Sequence, residues 1–121
     1  MKDGRTVKSI QSTSLIDARD AEILRACKEA VLEILPGAEV ILFGSRARGD
    51  ESGGSDYDLL VLSDNETTAA LKQRVRDTLY DVALRYDAVV SAFLYSRQRW
   101  NSPPWRRMPL HESIEQEGLL L

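Results

Sequence analysis

Asp56 and Asp58 stand where a polar loop gives way to the apolar run Leu59-Leu60-Val61-Leu62, and Gly44-Ser45 follows directly on Val40-Ile41-Leu42-Phe43. On an extended strand, alternate residues share a face, so the two carboxylates lie on one side with Cα atoms about 6.5–7 Å apart. Two carboxylates that close repel each other unless a cation lies between them, and Mg²⁺ accepts carboxylate together with phosphate oxygens. The glycine permits a sharp bend close to a ligand. If Ser45 opens a helical turn, its first N–H groups form an anion site suited to phosphate, and the serine hydroxyl adds a donor. An isolated Asp-x-Asp reads more readily as a polar strand end facing water. The Gly-Ser turn upstream makes the pair a candidate site for a metal-bound triphosphate.

These residues need two strands and a backing layer to hold them. Ile23, Leu24, Cys27, Val31, Ile34 and Leu35 recur at steps of 3 or 4 and make one helical stripe, with Asp17 as N-cap and Pro36-Gly37 as the stop. Residues 40–43 and 57–62 read as buried strands. Ser63, Asp64 or Asn65 caps a second helix, whose apolar face is Leu71, Val75, Leu79, Val82 and Tyr86. Residues 87–95 read as a third strand, 96–100 as a helical turn, Ser102-Pro103-Pro104 as a break, and 110–117 as a last helix ended by Gly118. Residues 1–14 form a polar arm that could add an edge strand, and residues 15–121 form one domain. Cys27 lies on the first stripe and reads as a small buried side chain.

The run Phe43-Gly44-Ser45, then Arg46 to Ser55, then Asp56-Tyr57-Asp58-Leu59 resembles the nucleotidyltransferases of the DNA polymerase β superfamily, in particular the minimal nucleotidyltransferases. The fuller pattern Gly-Ser-x-Ala-x-Gly…Ser-Asp-x-Asp-Leu is met by Gly44, Ser45, Ala47, Gly49, Ser55, Asp56, Asp58 and Leu59. The resemblance implies an α/β (α+β) fold, with a small mixed sheet backed by helices. It implies a nucleotide-binding set of Gly44, Ser45 and Ser55, two Mg²⁺ ions on Asp56 and Asp58, and a third carboxylate on a later strand. Asp87 is the candidate for that third catalytic and metal-binding acid, although it could equally end the preceding helix. ATP is the usual donor, and the implied reaction moves AMP to a hydroxyl with pyrophosphate leaving. Small members often work beside a helical HEPN-type toxin, and some act as antitoxins by adenylylating a tyrosine of that partner.

Other residues admit two readings. Arg46 and Arg48 suit phosphate geometry, and could instead pair with Asp50 or Glu51. Trp100 and Trp105, beside Arg97, Arg99, Arg106 and Arg107, could stack on a base or a partner, or seal the core. His111, the single histidine, reads as a surface residue. The terminal Leu119-Leu120-Leu121 suggests a homodimer or partner contact, since three exposed leucines are costly.

The 121 residues suit one domain, and 43% hydrophobic content supports a core. A net charge of -3 gives no basic excess for non-specific nucleic-acid binding. The single cysteine allows no internal disulfide, and no apolar run is long enough to span a membrane, so a cytoplasmic protein is expected. Besides the transferase, two further functions fit. One is a binding module that keeps the fold and neutralises a partner without turnover. The other is a drug-modifying enzyme for aminoglycoside-type acceptors, which normally carries an additional helical domain.

Overall fold

The stripe from Ile23 to Val31 winds into α1 (Ala18–Ile34), where Ile23, Leu24, Cys27 and Val31 are buried. Asp17 caps it, its carboxylate accepting from the Asp20 N–H at 2.8 Å. A computed structural model describes residues 7–10, 16–49 and 56–121. In chain order the remaining elements are β1 (Lys8–Ser9), β2 (Glu39–Phe43), β3 (Tyr57–Ser63), α2 (Ala69–Arg85), β4 (Val90–Ser96), α3 (Arg97–Trp100), α4 (Pro109–Glu117) and β5 (Leu119–Leu120), with a 3₁₀ turn at Trp105–Arg107 before α4. This is the mixed sheet backed by helices that the motif implied.

The strands lie in the order β1-β5-β2-β3-β4. β2 and β3 are antiparallel, with Val40 opposite Val61 and Phe43 opposite Asp58. β3 and β4 are parallel, joined through α2, with Asp58 opposite Ser91. Side-chain alternation then builds two cores. Leu42, Leu59, Val61 and Leu94 pack against α1 and α2, while Ile41, Leu60 and Leu62 pack against Trp100 and Ile114. With both faces covered, β3 reads as a continuous apolar run.

Four expectations are corrected. The cap of α2 is Thr68, whose hydroxyl accepts from the Leu71 N–H at 3.1 Å. Ser63 belongs to β3, and its hydroxyl accepts from the Asn65 N–H in a tight local turn. The strand expected from residue 87 starts at Val90. Before it, the Ala88 N–H bonds to the Ala83 carbonyl at 2.9 Å and the Asp87 N–H to the Leu84 carbonyl at 3.4 Å. Those two bonds, with Asp87 at φ 52, are the pattern that closes a helix C-terminus. His111 is buried and stacked on Trp100, with ring centroids 4.6 Å apart. The terminal leucines join the chain's own sheet: Leu119 and Leu120 pair with Leu42 and Ile41, and the Leu121 N–H bonds to the Val40 carbonyl at 2.9 Å.

Trp100 is buried in the second core, and Tyr95 packs its ring against both Trp100 and Trp105. Arg97 bonds Glu39 at 2.9 Å and Asp64 at 2.8 Å, so its charge serves the sheet end. Gly118 ends α4 tightly: a Cβ there would lie 2.5 Å from the Ile114 carbonyl oxygen and 2.8 Å from an Ile41 methyl.

Burial pushes the Cys27 thiol up to about 11. At pH 8 it is therefore protonated as well as enclosed. Native protein treated with an alkylating maleimide at that pH is expected to stay unlabelled over a time in which urea-unfolded protein labels fully. Equal labelling of both would contradict the packing of α1.

Candidate active site

The register of β2 against β3 brings the two halves of the motif together. Phe43, the last residue of β2, pairs with Asp58, so Gly44 sits beside that carboxylate as the chain leaves the sheet. Gly44 has φ 79, and a Cβ there would lie 2.5 Å from Asp58 Oδ2. Glycine is required on both counts. Residues 44–49 then coil back in a run of turns: Ala47 and Arg48 N–H bond to the Gly44 carbonyl at 3.1 and 3.3 Å, and Gly49 N–H to the Arg46 carbonyl at 3.2 Å.

Asp58 is half-buried at the mouth of β3, with Asp56 exposed just before it. Its carboxyl is raised above the ordinary range, first by burial and then by the negative charge of Asp56. A divalent cation would relieve that repulsion, and two hard oxygen donors suit Mg²⁺, which keeps its other positions for water and phosphate. Phe43 and Phe93, with ring centroids 6.0 Å apart, wall this end of the sheet, and Phe93 is partly exposed.

The other candidates divide. Ser45 lies in the turn beside Gly44. Arg46 turns to the helical side of the sheet, its Nη1 2.9 Å from Asp20 Oδ1 and its guanidinium 4.3 Å above the Tyr57 ring. Arg48 reaches Glu117 at 3.2 Å in an exposed pair, the kind worth little in water. Asp87 lines a cavity of about 310 Å³ on the helical side, together with Asp17, Arg19, Asp20, Arg46 and Tyr57. The position across from Asp58 on β4 is Ser91. Among the described residues no three His, Cys, Asp or Glu side chains are grouped to hold a metal. Ser55, with Asp50, Glu51 and Gly53-Gly54, lies outside the described residues.

The family model for the nucleotidyltransferase domain matches residues 24–114, a span that contains the turn, both aspartates and all of β4. The chain belongs to this nucleotidyltransferase family. It is similar to "Putative protein adenylyltransferase MJ0141" of Methanocaldococcus jannaschii, with 36% identity over 78 residues, 63% of this chain and 79% of that one. It is also similar to "Putative protein adenylyltransferase MJ0604" of the same organism, with 31% identity over 84 residues, 69% of this chain and 76% of that one. The nucleotidyltransferase is thus a transferase enzyme, and among its described residues no helix is long and apolar enough to cross a membrane.

Sequence reasoning passed over Asp20 and placed Tyr57 only within a buried strand. The signal was present: Asp20 falls three and four residues before Ile23 and Leu24, on the buried stripe of α1. A charge on such a stripe requires a partner. Tyr57 supplies a hydroxyl hydrogen bond to Asp20 Oδ1, and burial together with that bond pushes its phenol up to about 12.

In this nucleotidyltransferase Gly44→Ala must both strain the backbone and displace Asp58. The left-handed conformation alone costs about 1–2 kcal/mol. Because the clash is with the Asp58 carboxylate, Gly44→Ala and Asp58→Ala together should cost less than the sum of the single changes. Urea-unfolding midpoints of the four proteins measure this, and strict additivity would contradict the contact.

Proposed function

We propose that this enzyme transfers AMP from ATP to a protein hydroxyl, and that the acceptor is a tyrosine of a helical HEPN-type partner, which makes the chain an antitoxin. The observation that carries the reading is the close approach of Gly44 to Asp58, which gives the Gly-Ser turn and the carboxylate pair one shared end of the sheet. The similarity to proteins named as protein adenylyltransferases supports AMP as the group moved and a protein as the acceptor.

Asp56 and Asp58 would hold two Mg²⁺ ions. When bound, such ions lower the pKa of an attacking hydroxyl and neutralise charge on the leaving oxygens. The chain's own residues orient the substrate. Gly44 and Ser45 offer backbone N–H groups and a hydroxyl to the β- and γ-phosphates, and Arg48 exchanges Glu117 for a phosphate oxygen. Positioning and charge stabilisation supply most of the acceleration in this class of reaction. Phe43 and Phe93 shield one side of the reacting end from water.

One observation favours a second reading. Opposite Asp58, β4 carries Ser91, and Asp87 lines the cavity on the helical side. A site with two carboxylates suits a module that binds nucleotide and partner with little turnover.

Labelled ATP separates the two readings. The enzyme, Mg²⁺ and a candidate HEPN-type partner are incubated with ATP carrying label on the α-phosphate or on the γ-phosphate. The enzymatic reading expects acid-stable α-label on the partner, no γ-label, and loss of at least about 10²-fold in rate with Asp58→Asn. Partner binding without any α-label would favour the binding module.

A further inference from the structure

Asp20 lies in the first turn of α1 yet is only 7% exposed. Its Oδ1 accepts from two side chains that are remote in sequence, Arg46 Nη1 at 2.9 Å and the Tyr57 hydroxyl. Arg46 also lies over the Tyr57 ring at 4.3 Å, so the three groups contact one another pairwise. Arg46 immediately follows Gly44-Ser45, and Tyr57 stands between Asp56 and Asp58. One carboxylate on α1 therefore grips both halves of the motif from behind the sheet.

We infer that Asp20 is a positioning residue for nucleotidyl transfer, which fixes the Gly44–Gly49 turn against the strand end that carries Asp56 and Asp58. The role rests on the proposed reading that this turn and these acids share one triphosphate. Beyond Phe43 the turn has left the β2 ladder, and among the described residues its backbone hydrogen bonds are short-range contacts within residues 44–49, so it is held to the domain by the buried Ala47 and by side-chain contacts such as Arg46 to Asp20. The position of Tyr57 is set by β3, where it pairs with Val90, so the clamp transmits the register of the sheet to the turn. Loss of the carboxylate leaves a guanidinium and a phenol in a half-buried cavity without their shared acceptor, and frees the turn to move relative to the acids. A shift of about 1 Å at such a site is enough to cost about 10²-fold in rate. This assigns Arg46 a different task from Arg48: Arg46 holds the turn from behind, and Arg48 faces the phosphates.

The test measures binding of ATP with Mg²⁺ by calorimetry, and amide relaxation of residues 44–49 in the free protein. The variants are Asp20→Ala, the conservative Asp20→Asn, and Val82→Ala as a control that loosens the core on α2 without touching the clamp. Asp20→Ala is expected to weaken nucleotide binding by about tenfold or more and to increase motion in the turn, with Asp20→Asn recovering part of both. Val82→Ala is expected to lower stability while keeping affinity within about twofold. Wild-type affinity in Asp20→Ala would overturn the inference. Tighter binding would do so as well, since it would mean that a freed Arg46 serves as a phosphate ligand. An equal loss in Val82→Ala would reduce Asp20 to general stability. If the wild type binds no nucleotide, the proposed function fails separately, and an unchanged turn in Asp20→Ala would then overturn the clamp by itself.

Discussion

The antiparallel register of β2 on β3 sets Phe43 opposite Asp58, and every feature of the site follows from that pairing. It places the end of one strand beside the start of the other, so that the turn leaving β2 and the acids entering β3 meet at one end of the sheet. A slip of one residue would turn Asp58 toward α1 and α2 and bring Leu59 to the opposite face. The site would vanish although every residue remained. Gly44 marks how close the two segments come, since the space for its missing Cβ is filled by the Asp58 carboxylate.

Register is held in turn by burial on both faces. Val40 and Leu42 face α1 and α2, while Ile41 faces Trp100 and Ile114. Strands covered on both sides have no face to offer water, so a displaced register would bury Asp58 or expose a leucine. The last residues of the chain contribute here, because β5 pairs with β2 and covers its second edge. The charged groups act at the ends of the strands. Arg97 gathers Glu39 and Asp64 at one end, and Asp20 gathers Arg46 and Tyr57 at the other.

Much of this was legible in residue order. The 3.6-residue stripe of α1, the apolar runs of β2 and β3, and the spacing from Gly44 to Asp58 are local patterns, and they led to the right fold and family. What stayed hidden depends on contacts between distant segments. For Arg46 the sequence offered only the nearby Asp50 and Glu51, which lie outside the described residues, and gave no sign of the bond to Asp20, 26 residues upstream on another element. His111 reads as a surface residue until Trp100 is folded against it. Leu119 and Leu120 suggested an external partner because nothing local indicates that a two-residue strand will insert beside β2. Asp87 shows a different difficulty. An acid that opens an apolar run and an acid that closes a helix look alike in sequence, and the hydrogen bonds from Asp87 and Ala88 back to Leu84 and Ala83 put the backbone of Asp87 at the end of α2, three residues before β4.

The central claim is that the turn and the acid pair form one metal-dependent triphosphate site. Crystals grown with Mn²⁺ and a non-hydrolysable ATP analogue test it most directly, because Mn²⁺ replaces Mg²⁺ and is located by its anomalous scattering. The account predicts anomalous peaks against the carboxylates of Asp56 and Asp58, with the β- and γ-phosphates on the amides that follow Gly44. Metal or triphosphate seated instead in the cavity lined by Asp17, Asp20 and Asp87 would contradict it.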